Sequence, residues 1–230
     1  MQKISDRIKN IIENQHVLGD IRPQTGFYPS SASVEYNDPV LGLTAQGACL
    51  RKQWYDWYRF PQQGEETISS LGRSLLGSWV HDGFQNLLKS IQIYTDLYVI
   101  NAEHAFWKPN WKLSGRLDLL CFDKKENRYV ILEIKTVNKE WGPAGFKQQM
   151  ECPKLEYILQ GTCYYYAYEE LNPKVIILYV NLLSGMNVDF LFEFELIIPK
   201  NNTDNIAVTD GSKITQFPEI SMAKIIERWN

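Results

Sequence analysis

The N-terminal part of the chain carries apolar residues at helical spacing. Isoleucines recur at intervals of three and four near the start, which predicts an amphipathic helix over residues 3–15. Prolines among Ser, Gly and Asn residues then predict an irregular connector over 19–43. Two further helices are expected, over 45–60 and over 68–91, and the first of them stops at Pro61. We therefore expect this part of the chain to be helical and irregular.

The apolar period changes from helical to strand-like near residue 94. Successive segments rich in Val, Ile, Leu, Phe and Tyr are separated by turn sequences, which predicts a meander of three strands. A helix follows, and then two strands joined across Ser184-Gly185, for which a hairpin is the simplest interpretation. The predicted strands are 94–108, 112–123, 128–137, 174–183 and 187–198, and the predicted helix is 154–171.

This order of elements predicts an α/β fold. Helices, a strand meander, a helix and further strands correspond to a single domain with a central mixed β-sheet flanked by helices. A chain of 230 residues that is 44% hydrophobic is long enough to bury one sizeable core. We expect 1–44 to form a helix and connector packed on the core, 45–199 to form the core, and 200–230 to form a polar tail with a short helix near 222–229.

Composition and charge narrow the picture only a little. The formal net charge of −3 does not indicate a polyanion partner, although total charge says little about a local patch. No apolar run approaches the ~20 residues needed to span a bilayer, and the first residues lack a signal-peptide core. We therefore expect a cytoplasmic protein without a membrane partner, whose four cysteines remain thiols.

Two acidic segments on neighbouring predicted strands are the strongest candidates for chemistry. Glu133-Ile134-Lys135 lies on one strand, where alternation puts Glu133 and Lys135 on the same face and Ile134 in the core. Asp118, in Gly115-Arg-Leu-Asp118, lies on the preceding strand. Two carboxylates and the Ile134 carbonyl offer the oxygen-rich site that Mg²⁺ or Mn²⁺ prefers. A neighbouring lysine can serve a water or a phosphate.

An acidic residue and a lysine on a strand more often form a solvated face without chemistry. Here, however, Val-Ile-Leu precedes and Thr-Val follows the charged pair, and Asp118 likewise stands in an apolar strand. Ionised groups in such strands are costly unless they are paired or bind metal. The two segments together favour a site.

The chain resembles the RecB-type branch of the PD-(D/E)XK nuclease superfamily, which includes CRISPR adaptation exonucleases and phage and mitochondrial relatives. The resemblance rests on family motifs that occur in family order between residues 45 and 198. These are Gly77-Ser-Trp-Val-His81, Gly115-Arg-Leu-Asp118, Glu133-Ile-Lys135 and Gln160-Gly-Thr-Cys-Tyr164. It implies a restriction-endonuclease-like core.

The resemblance also implies roles for individual residues. Lys135 would serve the attacking water, and Gln160 and Tyr164, one helical turn apart, would contact the substrate backbone or brace the lysine, unless they only pack the helix. The implied catalytic residues are Asp118, Glu133, Lys135, Gln160 and Tyr164, and the implied ligands of Mg²⁺ or Mn²⁺ are His81, Asp118, Glu133 and the Ile134 carbonyl.

Basic and aromatic residues outside these motifs are candidates for DNA contact. In 49–59, basic residues alternate with Trp and Tyr, which could grip a strand by phosphate contact and base stacking or could equally be core with a cationic rim. The segment 138–149, after the Glu-x-Lys strand, could be a loop over the site or an ordinary connector. The predicted substrate-binding residues are Arg51, Lys52, Arg59, Arg116, Lys139, Trp141 and Tyr164.

Many members of this family bind an iron–sulfur cluster through four cysteines. Cys49 stands where the first ligand would be, but no cysteine follows Cys163, where the other three are expected. We therefore expect no iron–sulfur cluster and a small buried thiol at Cys49.

The function implied is metal-dependent hydrolysis of DNA phosphodiester bonds, by an exonuclease that acts on DNA ends or single strands in recombination, repair or phage DNA metabolism. A helicase, a recombinase or another subunit is a conceivable partner. One alternative is a catalytically silent nuclease-fold subunit that binds DNA in a larger complex, and another is an endonuclease of the same superfamily. The chain has no nucleotide-binding loop of its own.

Overall fold

A mixed eight-stranded β-sheet is the centre of the fold. The computed structural model describes residues 2–13, 41–42, 68–108, 113–137, 152–181, 190–200 and 205–217. The helices are α1 (Ile4–Glu13), α2 (Ile68–Thr95) and α3 (Leu155–Ala167), and the strands are β1 (Leu41–Gly42), β2 (Leu97–Lys108), β3 (Leu113–Asp123), β4 (Arg128–Val137), β5 (Lys174–Asn181), β6 (Leu191–Ile197), β7 (Ile206–Thr209) and β8 (Ile214–Phe217). The predicted α/β fold, a single domain with a mixed sheet, is confirmed.

The strand order follows from short turns and one crossover. β2, β3 and β4 form the predicted antiparallel meander, and β5 and β6 form the predicted antiparallel pair. β4 and β5 are parallel, because α3 carries the chain back across the sheet between them. β1 pairs with β3 in parallel, and β7 and β8 extend the sheet beyond β6.

Helices cover both faces of the sheet, so its central strands are buried on both sides. Ile131 of β4 packs in the cluster of α3, whereas the next residue, Leu132, packs in the cluster of α1 and α2. Ile177 and Leu178 of β5 alternate in the same way. This double burial explains why β4 and β5 are continuous apolar runs rather than alternating ones.

The predicted polar tail is wrong for residues 206–217, which form strands of the same sheet. Ile206 and Val208 are buried against the α3 cluster, which supplies the apolar burial that this short strand needs. Gly211 takes a φ of +85° in the turn between β7 and β8, a conformation that favours glycine. The ends of two helices differ from the prediction by a few residues. α2 continues to Thr95, and α3 ends at Ala167 before a separate 3-10 turn.

Several predicted elements lie outside the described residues. These are the helix over 45–60, most of the connector over 19–43, the link between β5 and β6, and the helix near 222–229. Within the described ranges, no helix combines the length and apolar character needed to cross a membrane.

Close contact between α3 and the sheet makes Gly161 sensitive to substitution. A Cβ atom at Gly161 would lie 2.6 Å from Leu196 Cδ1 and 3.1 Å from Val175 Cγ1, and both neighbours are buried. We expect Gly161→Ala to lower the free energy of unfolding by about 1–3 kcal/mol, measured by urea denaturation. Gly83→Ala is the matched helical control, because a Cβ there meets no atom within 4 Å and should add up to about 1 kcal/mol. Equal stability of Gly161→Ala and wild type would contradict this packing.

Candidate functional site

Strands β3 and β4 separate at the site that the sequence predicts. Their paired register ends at Leu119 and Leu132, so Asp118 and Glu133 are the next residues beyond the last pair. Asp118 Oδ2 instead accepts a hydrogen bond of 2.7 Å from the backbone N–H of Ile134. The side chain of Asp118 thus takes the place of a ladder bond and brings the two acidic strands together.

Lys135 lies on the α3 side of the sheet with Glu133, as strand alternation predicts. Its Nζ donates to Glu133 Oε1 at 2.5 Å and to Gln160 Oε1 at 3.1 Å. The same ammonium lies 4.6 Å from the centre of the Tyr157 ring. Ile134, between the two charged residues, is buried in the opposite cluster. The lysine is therefore held by a carboxylate, an amide and an aromatic face.

Glu133 is a buried carboxylate with unused acceptor capacity. Its residue is 2% exposed, and its Oε2 accepts no hydrogen bond from the part of the chain that the structure describes. Burial raises the pKa of Glu133 to about 8, helped by the charge of Asp118 and opposed by Lys135. Burial likewise raises the pKa of Asp118, against the effects of His81, the Ile134 N–H and Lys135. Both carboxylates thus lie where a cation would favour their ionised forms.

Gln160 and Tyr164 form a hydrogen-bonded relay behind the lysine. Gln160 Nε2 donates to the Tyr164 hydroxyl at 2.8 Å, and that hydroxyl donates to the Arg116 carbonyl at 2.8 Å. Tyr164 is 2% exposed, and burial raises its pKa well above the usual value. The relay joins Lys135 to the strand of Asp118, which is the bracing role that the sequence left open. Substrate contact by Tyr164 stays a prediction.

Removing the Tyr164 hydroxyl tests the relay. Tyr164→Phe keeps the ring that packs edge-on against Phe106 but removes the hydroxyl's hydrogen bond to the Arg116 carbonyl and leaves the buried Gln160 amide without the hydroxyl acceptor. We expect the free energy of unfolding to fall by about 1–3 kcal/mol, the cost of unsatisfied buried polar groups. Tyr165→Phe should cost less, because that hydroxyl makes a longer bond of 3.3 Å to Asn172. An equal or larger loss in the control, measured by urea denaturation, would contradict the relay.

His81 of α2 approaches the same oxygen of Asp118 that accepts the hydrogen bond from Ile134. Its Nδ1 lies 3.7 Å from Asp118 Oδ2. Ligand atoms of His81, Asp118 and Glu103 all lie within 4.8 Å of one another. One imidazole nitrogen and two carboxylates suit Mn²⁺ or Mg²⁺, which are completed by water in such sites. The donor set and the unpartnered oxygen of Glu133 both fit a divalent cation.

Glu103 and Gln85 are site residues that the sequence analysis missed. Glu103 Oε1 accepts a hydrogen bond of 2.8 Å from Gln85 Nε2, and its Oε2 lies 2.7 Å from Arg116 Nε. Gln85 also reaches the Asp118 carbonyl at 3.4 Å. Gln85 stands four residues after His81 and so shares its helix face, a signal that could have identified it. Arg116, predicted to bind substrate, is here the ion-pair partner of Glu103.

Other predicted site residues do not belong to the group formed by His81, Glu103 and Asp118. Glu133 lies outside the set of three close ligands, so its role as a cation ligand, and that of the Ile134 carbonyl, stays a prediction. The remaining predicted substrate-binding residues fall outside the described ranges, as does Cys49; they are Arg51, Lys52, Arg59, Lys139 and Trp141. The described cysteines are free thiols at Cys121, Cys152 and Cys163.

Comparisons with known proteins give distant similarity to solved structures only at the level of the chain trace. No protein-family model matches the chain, and no curated protein sequence matches it. The solved structure titled "Crystal structure of SSO0001" is similar over 98% of this chain and 83% of its own, with 14% sequence identity and a TM-score of 0.45. A similarity at this level does not assign the chain to a family.

Proposed function

We propose that the protein is a metal-dependent DNA nuclease that hydrolyses phosphodiester bonds, as an exonuclease on DNA ends or single strands. The contacts of the Lys135 ammonium are the observation that supports this proposal most strongly. Its ammonium is fixed by Glu133 and Gln160 beside the point where Asp118 crosses to the neighbouring strand. A buried ion pair such as Glu133–Lys135 contributes little net stability compared with well-packed apolar residues, which favours a functional role for it.

The acidic residues and His81 would hold the cation. His81 and Asp118 are close enough for one ion, and the buried, unpartnered oxygen of Glu133 would be a further ligand. The chemistry that a divalent cation held by these residues would supply is polarisation of the phosphate and acidification of a bound water. Lys135 orients the attacking water and offsets negative charge on the scissile phosphate, since it is a donor held beside Glu133.

A positively charged side chain, that of Arg116, can contact the DNA backbone. The Arg116 side chain is 55% exposed, so its guanidinium is accessible at the same site. Guanidinium groups bind phosphate oxygens in two parallel hydrogen bonds, which positions a strand without reading its bases. Together these features support a nuclease more than a protein that only binds metal.

Digestion of labelled DNA tests the proposal. The purified full chain is incubated with 5′-labelled linear single-stranded DNA in Mg²⁺ or Mn²⁺, and with closed circular DNA in a parallel reaction. We expect degradation of the linear substrate that stops on chelation, with circular DNA left intact. Cleavage of circles would favour an endonuclease of the same superfamily. DNA binding without hydrolysis under all conditions would contradict the proposal and favour a catalytically silent subunit.

A further inference from the structure

Glu103 adopts an unusual backbone conformation for a strand residue. The pairs Ala102–Leu119 and His104–Leu117 bracket it, so Glu103 faces Asp118 across β2 and β3. Its φ of +52° lies in the left-handed region, which costs a non-glycine residue energy. Strain of this kind persists only where the surrounding structure enforces it, and it accumulates at functional sites.

The Glu103 carboxylate is held by two different groups. Gln85 donates to one oxygen, and the Arg116 guanidinium lies against the other. Gln85 is 5% exposed and also contacts the Asp118 backbone, so α2 fixes the carboxylate in place. Arg116, by contrast, holds Glu103 from the exposed side. The contact with Gln85 is thus made by a buried helix residue, and the contact with Arg116 faces the solvent.

The balance of charge at this site favours an additional cation. Glu103 stands opposite Asp118, and like charges opposite each other across a sheet destabilise it. Glu133 Oε2 is buried and unpartnered among the described residues. The carboxylates of Glu103 and Asp118 therefore lie close together, with Arg116 against Glu103 and Lys135 against the neighbouring Glu133.

We propose that Glu103 is shared in turn by two partners: Arg116 holds it in the absence of the divalent cation of the site, and the cation takes it when bound. In this arrangement the cation takes Glu103 together with His81 and Asp118, whose ligand atoms already lie within 4.8 Å of one another. Arg116 then leaves Glu103 and binds a phosphate of the DNA strand. The inference rests on the proposed function, because it assigns a further ligand to the same cation. It predicts that Arg116 competes with the cation and weakens its binding.

Calorimetric titration of the full chain with Mn²⁺, without DNA, tests the sharing. Glu103→Gln should raise the Kd for Mn²⁺ at least about tenfold. Arg116→Gln should lower the Kd about threefold, because a partly exposed ion pair competes weakly. Glu126→Gln is the matched control, since it loses an ion pair to Lys174 away from the site and should bind Mn²⁺ as wild type does. Asp118→Asn should lose binding.

The outcomes separate this inference from the proposed function. If wild type binds no Mn²⁺, the cation site itself fails and both proposals fall. If Asp118→Asn weakens binding but Glu103→Gln binds like wild type, Glu103 is not a ligand and only this inference is overturned. Weaker binding by Arg116→Gln would also overturn it, because Arg116 would then position Glu103 rather than compete. Arg116→Gln changes an exposed side chain, so this arm remains informative even if Glu103→Gln does not fold.

Discussion

Lys135→Ala lowers the rate of DNA hydrolysis by at least about 10²-fold, the usual contribution of a positioned group that moves or holds a proton. The substitution removes the ammonium that contacts Glu133 and Gln160 and lies over the Tyr157 ring. No neighbouring lysine replaces it on this face of β4. Single-turnover degradation of linear single-stranded DNA in Mn²⁺ measures the loss.

The matched control for this prediction is Lys125→Ala. Lys125 lies in the turn between β3 and β4, is about half exposed and pairs loosely with Asp96 at 3.7 Å. Its loss removes the same charge from the protein but from the far end of the two strands, so the rate should stay near that of wild type. Equal rates for Lys135→Ala and wild type would remove the lysine from the mechanism. Equal losses in both variants would indicate a general effect of charge.

Arg7→Met lowers the free energy of unfolding by about 3–5 kcal/mol, the cost of leaving a buried charge without its partner. Arg7 contacts both oxygens of Asp123, and its Nη1 also donates to the Thr95 carbonyl at 3.0 Å. The ion pair is almost completely buried and joins α1 to the end of α2 and the end of β3. Urea denaturation measures the change.

Two further variants give this prediction its control. Asp6→Ala changes an exposed charge in the first turn of the same helix and should cost at most about 1 kcal/mol. Adding Asp123→Asn to Arg7→Met removes the orphaned charge and should recover part of the stability. If Arg7→Met costs no more than Asp6→Ala, the buried ion pair does not anchor α1.

The ion pair between Arg7 and Asp123 makes the stability of the protein depend on pH. Burial alone would raise the pKa of Asp123, but the hydrogen bonds and charge of Arg7 outweigh it and the net pKa is lowered. A carboxyl with a lowered folded pKa contributes stability above its unfolded pKa and loses it as the pH falls through the folded pKa. We therefore expect the loss of stability in Arg7→Met to be largest near neutral pH and to shrink as the pH falls through the folded pKa of Asp123, measured by urea denaturation at a series of pH values.

The central part of the fold could be predicted from local patterns. Strand alternation placed Glu133 and Lys135 on one face and Ile134 in the core, because β4 pairs with β5 in unbroken register through these residues. The order of the family motifs predicted that His81 and Gln160, from two different helices, belong to the same site. The meander and the antiparallel pair of β5 and β6 followed from apolar runs separated by turn residues.

What the sequence did not reveal depends on contacts between distant residues. Glu103 lies on a strand whose register shifts between Val99 and Asn101, and its own φ is positive, so alternation does not predict where its side chain points. Arg7 and Asp123 are 116 residues apart, and no local pattern joins them. β7 and β8 have four residues each, which is too short for a periodic apolar pattern to identify them, and they extend the sheet from the edge of β6.

The most direct test of metal-dependent hydrolysis compares Asp118→Asn with wild type on linear single-stranded DNA in Mn²⁺. Release of acid-soluble nucleotides is followed, with Asp96→Asn as the control at the opposite end of β3. We expect wild type and Asp96→Asn to release nucleotides at similar rates, and Asp118→Asn and chelated wild type to release none. Nucleotide release by Asp118→Asn at the wild-type rate, or an inert wild type that binds Mn²⁺, would contradict the proposed nuclease.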